Sequence, residues 1–174
     1  MEKKSKIKKY ILYLVTMLVL VGLDQLVKKL SVIYLKGNNG ITIIPNVFRL
    51  YYLENQGAAF GVFQGQQALL LIFTIIVLAG VAYLITKVPE QKKYKPLIWV
   101  GVFIIAGAIG NMIDRLLYKY VVDMFYFELI NFPVFNVADC YVTVSFIVLF
   151  ILVLFVYKDD ELEFIFPKRH KKGE

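Results

Sequence analysis

Two aspartates, Asp123 in VVDMF and Asp139 in FNVAD, flank one short connection inside a greasy, aromatic stretch, residues 121–142. Holding a charge at mid-bilayer costs roughly 2.5–3.5 kcal/mol or more, so ionisable groups at membrane depth are candidates for function. The connection leaves and re-enters the same membrane surface, so folding it back can bring both carboxylates together. Two carboxylates in contact cannot both ionise cheaply, and they share a proton. The ionised member can then take a proton from water while the protonated member donates to a carbonyl oxygen. That is aspartyl-protease chemistry, and it needs no histidine, cysteine or metal. On these residues alone a plainer reading stays open: Asp139 caps a following helix, and Asp123 is an interfacial acid.

Other polar groups gather at the ends of apolar runs. Asp24 in GLDQLVKK has Lys28 at i+4, a spacing that suits a helix-end ion pair and equally the orientation of a neighbouring site. ENQGAAFG, residues 54–61, is either a turn or a surface where small Gly57 and Ala58 let a ligand lie against backbone; Asn55 there carries both a donor and an acceptor. In GNMIDR, Asn111, Asp114 and Arg115 fall on one helical face. They form either an ion pair closing the span or a clamp for a polar head group or peptide carbonyl. Glu128, among Phe, Tyr, Leu and Ile, reads as a loop acid. Ser31 lies at i+3 from Lys28, which permits a Ser–Lys dyad, but both types are common at helix ends and the structural reading is preferred.

Composition removes other chemistries. The chain has 174 residues and is 59% hydrophobic, above the ~45–50% of soluble domains. Its only cysteine is Cys140 and its only histidine is His170, in the polar C-terminal stretch. A disulfide framework, a Cys/His metal site and a serine–histidine triad are therefore not expected, and no metal or cofactor is implied. The net charge of +7 is read as membrane orientation and contact with anionic lipid, not nucleic-acid binding.

The elements that must position these residues are four apolar helices, at about residues 10–29, 67–86, 97–115 and 138–157, each near the length that spans a bilayer. The third is rich in small residues, with Gly101, Ala106, Gly107 and Gly110 suited to close helix approach. The lysine-bearing N-terminus followed by an apolar run resembles a signal peptide, but no small-x-small site follows, and an uncleaved first helix is expected. Lysine and arginine concentrate at both ends and in KVPEQKKYKP, placing these in the cytoplasm and the two sparser connections on the outer face. Lys28 and Lys29 are local exceptions that can snorkel. The first outer connection reads as a strand around Arg49 to Leu53, so a small outer sheet is expected. Residues 1–157 form a single membrane domain and 158–174 a solvated cytoplasmic tail.

Taken together, DQLVK (24–28), NQGAAFG (55–61), GNMIDR with VVDMF (110–115 and 121–125) and FNVAD (135–139) resemble the lipoprotein signal peptidase, or signal peptidase II, family. The resemblance covers nearly the whole chain except the tail. It implies an all-α membrane protein with four transmembrane helices, an extracytoplasmic β-cradle and a short interfacial helix. It further implies a bacterial aspartyl endopeptidase of the cytoplasmic membrane, its active site near the outer face. Such an enzyme removes the signal peptide of a prolipoprotein just before a cysteine carrying diacylglycerol. By the same resemblance Asp123 and Asp139 are the catalytic pair. Asp24, Lys28, Asn55, Gly57, Asn111, Arg115 and Asn136 are the polar groups that meet substrate. The other implied partners are membrane lipid and the peptide antibiotic globomycin, and a monomer is expected. The alternative from a different class is a small polytopic transporter or channel subunit with an acidic polar pathway.

Overall fold

The computed structural model describes residues 2–58 and 62–165. Four helices carry the apolar runs: α1 (Glu2–Leu35), α2 (Gln67–Lys87), α3 (Lys95–Tyr118) and α4 (Val137–Ile151). α4 continues through a π-helical turn, Leu152–Val156, in which Tyr157 N donates to Leu152 O at 2.9 Å. All four are long and apolar enough to cross a membrane. α1 is far longer than its apolar run alone: at 1.5 Å per residue it extends about 51 Å, well over the ~30 Å hydrocarbon core. Its polar groups are satisfied there: Asp24 and Lys28 reach α4 and α3, and Ser31 Oγ donates to Val27 O within α1 itself.

α3 is the central helix. Of its most apolar window 44% is buried, against 6–11% for the others, and it packs on α1, α2 and α4. Its small residues allow this. A Cβ on Gly107 would lie 2.5 Å from Ala138 O, and one on Gly110 would lie 2.5 Å from Asp24 Oδ2. α3 thus sits close enough to α1 and α4 for short polar side chains to reach across.

The α1–α2 and α3–α4 connections form one antiparallel sheet in the order β1 (Ile41–Ile44), β2 (Phe48–Asn55), β3 (Val121–Phe127). β3 follows α3 after a tight turn, with Lys119 in the left-handed region at φ 66° and its N–H donating to Arg115 O at 3.2 Å. The sheet register shifts between Leu50 and Leu53, since Leu50 pairs with Phe125 and Leu53 with Asp123. Leu50 and Tyr52 pack on Leu35, Val122 and Met124, while Arg49, Tyr51, Leu53, Glu54 and Asn55 line a cavity. Among the described residues of these two connections the only helical piece is the single 3-10 turn Glu128–Ile130, so an interfacial helix is not among them.

The C-terminal stretch departs from the solvated tail expected from its charges. Residues 159–162 form a 3-10 turn, and Leu162 is buried with Tyr94, Leu97, Val100, Ile104, Leu152 and Tyr157. Tyr94 Oη donates to Glu161 O at 2.9 Å, Tyr157 Oη donates to Lys93 O at 2.7 Å, and Lys93 pairs with Glu161 at 2.9 Å. Leu162, Phe164 and Ile165 supply apolar groups that pack on the cluster around Tyr94. Residues 166–174 lie outside the described ones.

Candidate active site

Asp123 sits on β3, two residues past the point where the strand leaves α3, and is 1% exposed. Its Oδ2 accepts from Asn55 Nδ2 at 2.8 Å and its Oδ1 from Asn136 Nδ2 at 2.6 Å. Asn55, opposite Val121 in the β2–β3 pairing, reaches Asp123 diagonally. Burial, and then the charge of Asp139, push the Asp123 carboxyl up to about 7, against the two amide hydrogen bonds and the attraction of Lys28. A carboxyl in that range changes protonation near neutral pH, as general acid–base chemistry requires.

Asp139 occupies the first turn of α4. Asn136 caps that helix, its Oδ1 accepting from Asp139 N at 2.9 Å, while Asp139 Oδ2 accepts from Asn136 N at 3.1 Å. The other carboxylate oxygen accepts from Asn111 Nδ2 at 2.8 Å. The capping role expected of an acid at a helix start and a place in a polar site therefore coexist in one residue. Asn136 is the joint between the two aspartates: its backbone and Oδ1 hold Asp139, and its Nδ2 holds Asp123.

Behind this pair lies a second, deeper network. Lys28 Nζ reaches Asp24 Oδ2 at 2.9 Å, Asn111 Oδ1 at 2.9 Å and Asp114 Oδ2 at 3.0 Å, which uses all three donors of an ammonium. Asp24 Oδ1 accepts from Ala138 N at 2.9 Å, and Asp114 Oδ2 accepts from Val122 N at 3.1 Å. Gln25 Nε2 donates to Asp114 Oδ1 at 2.9 Å and Gly110 O at 3.1 Å. Asp24 and Lys28 are 0% and 3% exposed. The backbone groups they hold adjoin the two aspartates: Val122 precedes Asp123, and Ala138 precedes Asp139. The network thus ties α1 and α3 to both chains that present the carboxylates.

A cavity of about 1440 Å³ opens over the pair. Its polar wall includes Asn55, Gly57, Asn111, Arg115, Asp123 and Asp139, and its apolar wall includes Leu70, Phe73, Val77, Ile104, Val142 and Phe146 from α2, α3 and α4. Phe73 and Phe146 are exposed on the helices' outer surfaces, so the cavity runs from the carboxylates onto lipid-facing helix surface. Arg115 Nη2 donates to Gly57 O at 3.2 Å, and Gly57 N donates to Asn55 Oδ1 at 2.9 Å, which pins the Gly–Ala turn to the site. Among the described residues no group of three or more His, Cys, Asp or Glu side chains could hold a metal.

The sequence model of the family described as Signal peptidase (SPase) II matches residues 16–155. The chain belongs to this family. It is 43% identical over 148 residues to a lipoprotein signal peptidase of Streptococcus pneumoniae, covering 84% of this chain and 95% of that one. A lipoprotein signal peptidase of Latilactobacillus sakei is 44% identical over 147 residues, covering 83% and 94%. A solved bacterial membrane enzyme, determined by the in meso method, superposes with a TM-score of 0.72 at 29% identity over 82% of this chain and 87% of that chain. A second such structure has a TM-score of 0.70 at 28% identity over 83% and 94%.

In this signal peptidase II chain seven of the residues singled out from sequence line the cavity: Asp123, Asp139, Asn55, Gly57, Ala58, Asn111 and Arg115. Asp24, Lys28 and Asn136 do not line it. They are buried behind its wall: Lys28 pairs with Asp24 at 2.9 Å, and Asn136 bonds to both Asp123 and Asp139. Lys28 is fully committed and Ser31 Oγ donates to Val27 O at 2.9 Å, so the two make no dyad. Glu128 stays half-exposed at 3.8 Å from Arg49. Sequence reasoning undervalued Asp114 and Gln25. An amide directly after Asp24 near a span end was the available signal.

Proposed function

We propose that this signal peptidase II family member is a membrane-embedded aspartyl endopeptidase. It removes the signal peptide from diacylglyceryl-modified prolipoproteins, cutting just before the lipidated cysteine, with Asp123 and Asp139 as the catalytic pair. One observation carries this reading: a buried carboxylate, Asp123, and a partly buried one, Asp139, joined through Asn136, border a cavity that continues onto lipid-facing surfaces of α2 and α4. The name of the relatives supports the substrate class.

The acylated cysteine enters from the side, its chains along the apolar wall and its peptide against the Gly57 turn. Asp123 and Asp139 hold a water between them. One takes its proton, and the other donates to the scissile carbonyl oxygen, giving a tetrahedral intermediate that collapses with proton transfer to the leaving amine. The two titrate as a unit. Asn55, Asn111 and Asn136 fix the carboxylates' rotamers, so the pair is arranged before substrate arrives. Arg115 and Gly57 orient the peptide.

A transporter pathway would place acids at several depths on several spans. Here they converge at one end of the bundle around one pair. In this reading that end lies at the outer face of the bacterial cytoplasmic membrane with both termini in the cytoplasm, which the concentration of Lys and Arg at both ends and in the α2–α3 loop supports, and the enzyme acts as a monomer. Residues 1–157 form the protease domain. Globomycin is expected to occupy the cavity beside the two aspartates. The test is cleavage in detergent or vesicles of a diacylated precursor and of its unacylated twin. Selective cleavage of the acylated form is expected; equal cleavage of both would remove the basis for lipid-side entry.

A further inference from the structure

The cavity has a second cationic group that the proposed reaction does not use. Among the described lining residues the cations are Arg115, beside the aspartates, and Arg49, on β2, whose Tyr51, Leu53 and Asn55 line the same cavity. Arg49 is poorly satisfied for a guanidinium with five N–H donors. Nη2 donates to Asn39 O, Nη1 lies at a loose 3.8 Å from Glu128 Oε1, and the guanidinium lies over the Tyr51 ring at 5.5 Å. Its Nε is buried with no hydrogen-bond partner. A buried donor without an acceptor is costly, and most such groups in native proteins find a partner. Glu128 marks the chemistry that suits the place: a carboxylate, held on the 3-10 turn after β3 and too distant for a good bond.

Position says where on a substrate this matters. Arg49 pairs with Tyr126, and Leu53 pairs with Asp123. Arg49 therefore lies three residues along β3, or four along β2, from the catalytic position, about 10–14 Å at ~3.4 Å per residue. β3 begins at Val121, just after α3 ends at Tyr118, so along the chain Asp123 lies nearer α3 than Tyr126 does. A signal peptide's apolar segment stays beside the helices, whereas the chain after the acylated cysteine leaves the membrane across the sheet. An extended peptide covers the same 10–14 Å in three to four residues.

We propose that Arg49, with Tyr51 and Tyr126 beside it, is a specificity-determining residue that binds an acidic side chain about three or four residues after the acylated cysteine, displacing Glu128. Arginine suits this task because its planar fork binds a carboxylate through two parallel hydrogen bonds. The inference rests on the proposed peptidase reading and adds a preference to it.

The test uses the full-length protein and diacylated precursor peptides carrying Glu, Gln or Lys at the third residue after the cysteine, with a second set varied at the fourth. The readout is the ratio of kcat/KM for the Glu and Lys peptides within each variant, so that any general loss cancels. In one of the two sets wild type is expected to favour Glu by about tenfold, equivalent to ~1.4 kcal/mol, mainly through KM. Arg49→Gln brings the ratio close to one, Arg49→Glu inverts it, and Glu128→Gln raises it by removing the competing carboxylate. A wild-type ratio near one in both sets overturns the proposal, as does a ratio that Arg49→Gln leaves unchanged. If anionic phospholipid, and not peptide charge, changes the rate in an Arg49-dependent way, Arg49 binds a lipid head group and the peptide assignment is wrong. Wild type failing to cut any of the acylated peptides would instead overturn the peptidase reading itself.

Discussion

Removing the Asn55 side chain should move the alkaline limb of the pH–rate profile upward. Asn55 Nδ2 donates to Asp123 Oδ2 at 2.8 Å and opposes the burial that raises this carboxyl to about 7. The bond favours the ionised form, so its loss raises the proton affinity of the pair. A hydrogen bond to a charged group contributes ~1.5–3 kcal/mol, and one pKa unit corresponds to ~1.36 kcal/mol. Asn55 is only partly buried, so the lower end applies, and the shift is about one unit. In Asn55→Ala the fall in kcat/KM on the alkaline side should centre about one unit above wild type. Asn55 also accepts from Gly57 N at 2.9 Å, so the variant loosens the turn and lowers the whole profile. That loss scales every pH alike, whereas the lost hydrogen bond moves the midpoint. Assays of a diacylated precursor across about pH 5–10 separate the two effects. An unmoved midpoint, or one shifted to lower pH, would refute the reasoning.

Two further substitutions test how the site is held. Lys28→Met leaves Asp24 and Asp114 buried without their cation and is expected to cost ~3–5 kcal/mol. Its melting temperature in detergent should fall sharply, with partial recovery in Lys28→Met/Asp24→Asn; wild-type melting in the single variant would show that the deep network holds nothing. Gly107→Ala brings a methyl to 2.5 Å from Ala138 O, a backbone atom that yields only if the start of α4 moves. A displacement near 1 Å costs roughly 10²-fold in rate. This variant should remain folded with lowered kcat, and full activity would mean that the α3–α4 approach does not set the position of Asp139.

The helices were the most legible part of the fold, because twenty-odd apolar residues in a row admit few alternatives. Their polar ends were legible for the same reason: Asp24, Asn111, Asp114 and Arg115 stand out where hydrocarbon should be. β3 was harder to read. Val121, Val122, Asp123 and Met124 are all buried, so the strand shows no alternation, and VVDMFYF reads as a loop until β2 is placed beside it. The part played by Lys28 was hidden for another reason. Its i+4 spacing to Asp24 announced a pair, but the contacts to Asn111 and Asp114 come from α3, and nothing local to α1 encodes them. The docked turn at 159–162 was masked by its charges, since Leu162 and Phe164 acquire meaning only against Tyr94. Arg49 looked like one polar residue in a strand, and only the pairing of β2 with β3 puts it on the cavity wall.

The central claim is that Asp123 and Asp139 act together on the scissile bond. The most direct measurement compares wild type, Asp123→Asn and Asp139→Asn in cleavage of a diacylated precursor, with the melting temperature of each in detergent as a check on folding. Both carboxylates accept amide hydrogen bonds that asparagine can keep in part, so the variants are expected to fold and insert. Each should lose about 10²–10⁴-fold or more in kcat, the scale of general acid–base catalysis, and the double variant should be little worse than either single one. A folded Asp123→Asn or Asp139→Asn protein that cuts within tenfold of wild type would contradict the account.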